Sequence, residues 1–102
     1  MIDSRHVCAI VSAISFASSA LHLSAAAIGV VQGGNNYRVC VDLCRAIAFG
    51  IGPILYFCKP RAWSQEMACV VGAITAQPFF GLSDYIKAVA LRNGVDAGIP
   101  GL

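Results

Sequence analysis

Charge is what this sequence has least of. Seven Lys or Arg and five Asp or Glu are spread over 102 residues, about half of what a soluble domain of this size carries. With 58% of the residues apolar and ten more glycine, a solvated surface cannot be assembled, and the length bounds the chain to one small domain. The mean hydropathy of +0.74 points the same way. The scarcity also excludes nucleic acid as a partner, because a net charge of +2 from scattered cations makes no basic stripe. Catalytic groupings are missing too: no nucleophile stands beside a base, no Gly-rich phosphate loop follows a strand, and no paired carboxylates lie deep in a segment. The chain is therefore read as a non-enzyme, with no cofactor and no metal assigned.

What is present is apolar length. Between Arg5 and Arg38 lie 32 uncharged residues, between Arg45 and Lys59 lie 13, and between Glu66 and Asp84 lie 17. A membrane-crossing helix needs about 17 to 25 predominantly apolar residues. The first stretch spans with residues to spare and the third is just long enough. The second must run from about Val39 to Cys58 and carry Asp42 and Arg45 in its first two turns. The expected fold class is all-α, a single three-helix transmembrane domain over residues 1–102. Its helices lie at about 7–31, 39–58 and 65–92, and 93–102 form an extended tail. Val7 to Val31 is longer than the 7 to 15 apolar residues of a signal peptide, so it is read as a retained first helix.

The punctuation between segments is specific. Gln32-Gly33-Gly34-Asn35-Asn36 supplies a glycine stop and then an Asn cap. Lys59-Pro60-Arg61-Ala62-Trp63-Ser64 supplies a Pro that ends the second helix and a Ser that caps the third. Pro78, followed by Gly81, predicts a kink or break near Phe79 and Phe80, with Ser83-Asp84 restarting the helix.

On the first helix, Cys8, Ser12, Ser15, Ser19, His22, Ala26 and Gly29 recur at heptad spacing and all but His22 are small. Such a seam lets helix backbones approach closely in lipid. The face carrying Ile10, Ile14, Ala17, Leu21, Ala25 and Ile28 is apolar. In the second helix Ala46 and Gly50, and Ala48 and Gly52, repeat the small-residue spacing ahead of Pro53. The five cysteines lie in or beside apolar segments and read as packing residues.

Three groups are candidates for function. His22 is an intramembrane histidine, expected to bond a neighbouring carbonyl or Ser, with a haem or pigment ligand as the alternative role. Asp42 with Arg45, and Asp84 with Lys87, are each three residues apart on one helix face. With three crossings all four fall in one layer at a membrane face, where Asp42 can meet Lys87 and Arg45 can meet Asp84. Lys59, Arg61, Trp63 and Arg92 suit lipid headgroups.

The function expected from this pattern is a non-catalytic accessory subunit of a larger membrane complex, with other membrane subunits and lipids as partners. An energy-converting, respiratory-chain assembly of the mitochondrial inner membrane is the expected site, with thylakoid or endoplasmic reticulum as alternatives. The competing functions are an oligomeric proton or ion conduit through His22, Asp42 and Asp84, and a haem or pigment subunit through His22.

Overall fold

A computed structural model describes residues 3–97, which form three helices in antiparallel sequence: α1 over Ser4–Val31, α2 over Asn36–Phe57 and α3 over Gln65–Arg92. No strand occurs among the described residues. The helix starts follow capping chemistry. Asp3 accepts from the His6 N–H at 3.1 Å, Asn35 from the Arg38 N–H at 2.7 Å and Ser64 from the Met67 N–H at 3.0 Å, each relieving an orphan donor of the first turn. The α1–α2 turn is possible because Gly33 adopts φ 69°, a left-handed conformation that closes the helix end. The first two helices begin about three residues earlier than the apolar runs alone predict, because the polar caps belong to them.

The interior is built from small residues and the exterior from large ones. Ala26, Ala46, Ala48, Ala68, Ala76 and Ala90 are buried, with Ser12, Ser83 and Pro53. Ile10, Ile14, Leu21, Ile28, Ile54, Val70, Ile74 and Leu91 are exposed. In a water-soluble bundle the large aliphatic residues would take the interior. Here close backbone approach holds the helices instead. Where α2 meets α3, a Cβ placed on Gly72 would stand 2.8 Å from the Gly52 Cα, so only glycine fits at that crossing.

Two helices, α1 over Arg5–Val31 and α2 over Asn36–Phe57, are long and apolar enough to cross a membrane. Their 27 and 22 residues correspond to about 40 and 33 Å of helix, against a hydrocarbon core of about 30 Å. Buried core helices of soluble proteins and N-terminal signal sequences meet the same length test, but only 6% of the α1 window is buried within the fold. Two apolar helices suggest membrane association, and the placement of large residues outside suggests the same. Helix α3 is equally long but is not among the helices apolar enough to cross, so of the three expected crossings the third is not shown.

Of the kink or break expected at Pro78, the break does not occur. Helix α3 runs unbroken from Gln65 to Arg92, with no restart at Ser83-Asp84. Pro78 deprives the Ile74 carbonyl of its helical donor, yet Ala76 is buried and Phe80 packs edge-on against Phe49 at 5.0 Å, so packing on both sides carries the helix through. Pro53 is likewise accommodated inside α2.

The segment after α3 also differs from a free extended tail over its described part. The Val95 N–H donates to the Ala90 carbonyl at 2.8 Å, and Ala97 is buried in a cluster with Val41 and Ala90. The Asn93 amide donates to the Tyr37 hydroxyl at 2.9 Å. Residues 93–97 therefore close the end of the bundle against the start of α2. Residues 98–102 of the expected tail lie outside the described residues.

Candidate functional site

The α1 seam is the surface that α1 presents to its own chain. Ser12 and Ala26 are buried, and Cys8, Ser15, Ser19, His22 and Gly29 are half-buried, whereas Ile10, Ile14, Leu21 and Ile28 on the other face are exposed. Its contacts are specific. The Ser19 hydroxyl donates to the Ala46 carbonyl at 2.7 Å, and the Cys8 and Cys69 thiols are neighbours, with Ser12 beside them. The seam's demand for close packing is thus met by α2 and α3, so it does not by itself call for another subunit.

At the centre of this interface stands a pair that sequence reading divided between two roles. The His22 Nδ1 lies 3.1 Å from Asp42 Oδ1, with the two side chains only 21% and 6% exposed. Asp42 does not lie at an interface with Arg45 or Lys87. Arg45 turns to α3, where its Nε donates to the Ser83 hydroxyl at 3.2 Å. Among the described residues, no ion pair within 4 Å joins Asp42 to Arg45 or Lys87, or Asp84 to Lys87 or Arg45. Contact between Arg45 and Ser83, and of Val41 with Ala90 and Ile86, sets the beginning of α2 beside the end of α3. What differs is the chemistry: Asp42 is seven residues into α2 and turned inward, where burial without a partner would cost several kcal/mol or force protonation, and the imidazole supplies that partner.

The His22 ring is fixed further by Phe49, which stacks on it at 5.6 Å with 2° between the planes, and Phe80 closes edge-on behind Phe49. Two clefts flank this group. One, of about 300 Å³, lies at the α1–α2 turn and is lined by Gln32, Asn35, Arg38 and Asp42. The other, of about 200 Å³, lies among all three helices and is lined by Ser12, Ser15, Phe49, Gln77 and Phe80.

Neither Phe49 nor Phe80 was singled out from sequence, and the His22–Asp42 contact was missed. A signal for it exists, since the two residues stand at comparable distances from the Gln32–Asn35 turn and a fold-back there brings them level. For the haem or pigment role, His6 is out of reach as a second ligand: it sits at the exposed start of α1, pairs with Asp3 and stands about 24 Å along the helix from His22.

The residues assigned to headgroups divide between the two ends of the bundle. Lys59 reaches back to the Trp63 carbonyl at 2.8 Å and so braces the α2–α3 turn. Arg61 is exposed, Trp63 is half-buried beside it, and Arg92 is exposed at the far end of α3. Compared with protein-family models, curated proteins and solved structures, the chain matches none.

Proposed function

We propose that this chain is a non-catalytic accessory subunit of a larger membrane assembly, of the energy-converting kind carried by the mitochondrial inner membrane. The observation that carries the reading is the distribution of size: apart from Val41 and Pro53 the interior is mostly alanine, glycine and serine, while large aliphatic side chains lie outside on all three helices. Such a surface is stable against lipid tails and against the apolar faces of other membrane helices. In this reading α3 crosses beside α1 and α2, with Asp84, Lys87 and Arg92 near one interface and Glu66 near the other. Arg61 and Arg92, with Trp63 at the headgroup layer, hold anionic lipid. The role is mechanical. A thin bundle fills a groove between larger subunits while leaving its outer side chains for them and for lipid.

The test is affinity purification of the tagged full chain from mitochondrial membranes in mild detergent. The reading expects comigration on a native gel with integral subunits of one energy-converting complex, in fixed stoichiometry. A chain that migrates alone, with lipid and detergent only, overturns it.

A further inference from the structure

We propose that the cleft at the α1–α2 turn is a headgroup site for a phospholipid with a primary amine, phosphatidylethanolamine, in which Arg38 holds the phosphate and Asp42 the ammonium. The cleft encloses about 300 Å³, at the small end of ligand sites, which suits a headgroup and not a whole lipid. Its wall carries charge of both signs. Arg38 and Asp42 both line it and stand four residues apart on α2, so one helical turn, about 6 Å of rise, separates them on one face. Opposite charges at this spacing ordinarily close on each other. Here no ion pair within 4 Å joins them: Asp42 Oδ1 is held by the His22 ring at 3.1 Å, and the Arg38 guanidinium makes no bond to a described residue.

A ligand with a single charge satisfies one of these groups and leaves the other beside it without a partner. A free phosphate also meets the Asp42 carboxylate at close range. A molecule with an anion and an ammonium a short chain apart satisfies both. In phosphoethanolamine an ester oxygen and two carbons separate the two groups, a reach that fits one helical turn. The guanidinium takes the phosphate oxygens in a fork. The Asp42 side chain is only 6% exposed, so it admits a small donor, and its oxygen not held by His22 accepts from an ammonium N–H. A trimethylammonium head is bulkier and has no N–H to give, which disfavours phosphatidylcholine.

The occupant is a lipid and not the free headgroup, because an apolar groove continues from the cleft. Ile28 and Gln32 line both the cleft and a groove over Ala27 and Val31, on the exposed face of α1. An acyl chain leaving the cleft lies along these side chains toward the bilayer interior. The inference rests on the membrane placement in the subunit reading and not on the assembly, so comigration on a native gel and lipid binding fail separately.

The full chain is purified in mild detergent, delipidated, and given equal amounts of phosphatidylethanolamine, phosphatidylcholine and phosphatidylglycerol with the same acyl chains, and bound lipid is read by native mass spectrometry. Expected is one phosphatidylethanolamine per chain, retained about tenfold or more over either of the others, the worth of a charge-assisted bond. Asp42→Asn should bring phosphatidylethanolamine down to the level of phosphatidylcholine, Arg38→Gln should weaken both alike, and Ile14→Leu should change neither. Equal retention of all three lipids by the wild type overturns the site, as does an unchanged preference in Asp42→Asn. Should Asp42→Asn fail to fold, the wild type is titrated with phosphatidylethanolamine methylated stepwise at its nitrogen. Binding should weaken with each N–H lost, and indifference to methylation overturns the site. Free phosphoethanolamine at the same concentrations should displace no lipid, and displacement overturns the lipid as occupant.

Discussion

Replacing Gly72 by alanine tests how the bundle is held together. The new Cβ would lie 2.8 Å from the Gly52 Cα, a backbone atom that cannot rotate away, where ordinary contact begins near 3.4 Å. Helices α2 and α3 must part by roughly 0.6 Å at the crossing. A gap of that size forfeits about a quarter or more of the dispersion energy of the atoms along it, and overpacking of this kind costs about 1–3 kcal/mol. Alanine returns up to about 1 kcal/mol through its better helix propensity, leaving a net loss of up to about 2 kcal/mol. Gly52→Ala is the matched control. Its Cβ meets nothing within 4 Å, so the propensity gain stands alone and the protein should be unchanged or up to about 1 kcal/mol more stable. Both variants are measured in the same mild detergent by loss of helical circular dichroism on titration with a denaturing detergent. Gly72→Ala should unfold earlier than wild type and Gly52→Ala no earlier. Equal stability of the two variants would refute the close α2–α3 crossing.

Further predictions address other contacts. Ser19→Leu should destabilise by about 2 kcal/mol or more, because it removes the bond to the Ala46 carbonyl and drives a branched side chain toward Gly50; Ile14→Leu on the exposed face should change stability by less than about 0.5 kcal/mol in the same titration. His22→Leu should cost about 2–4 kcal/mol by leaving the Asp42 carboxylate buried without its partner. Adding Asp42→Leu should recover part of that loss, and strict additivity of the two in a double-mutant cycle would show that the pair is not coupled. Mild oxidation of the folded chain should join Cys8 to Cys69, which are neighbours across α1 and α3, a product identified by peptide mass; cross-links of Cys58 to either in preference would contradict the packing order.

Much of the fold was legible because it depends on local chemistry. Asn35 and Ser64 are caps that any helix start would favour, Gly33 is the residue that can take φ 69°, and the seven-residue seam of α1 records which face is covered. What escaped depends on contacts far apart in sequence. Pro78 signals a break locally, but Phe80 on Phe49 and the buried Ala76 outweigh it. Asp42 reads as an interfacial charge when its neighbours in sequence are Leu43 and Arg45, and becomes an interior group only when α1 brings His22 against it. The tail looks structureless until Tyr37 and Val41 offer it a surface. The same limit hid Phe49, whose role exists only between His22 and Phe80.

The central claim is that a bundle with small residues inside and large apolar residues outside lies within a bilayer, and alkaline carbonate extraction of native membranes tests it most directly. The exposed faces of α1, α2 and α3 cannot be solvated by water once peripheral contacts are stripped at high pH. The chain is predicted to remain wholly in the membrane pellet, with a known peripheral protein released alongside as the control. Recovery of the chain in the supernatant would contradict the account.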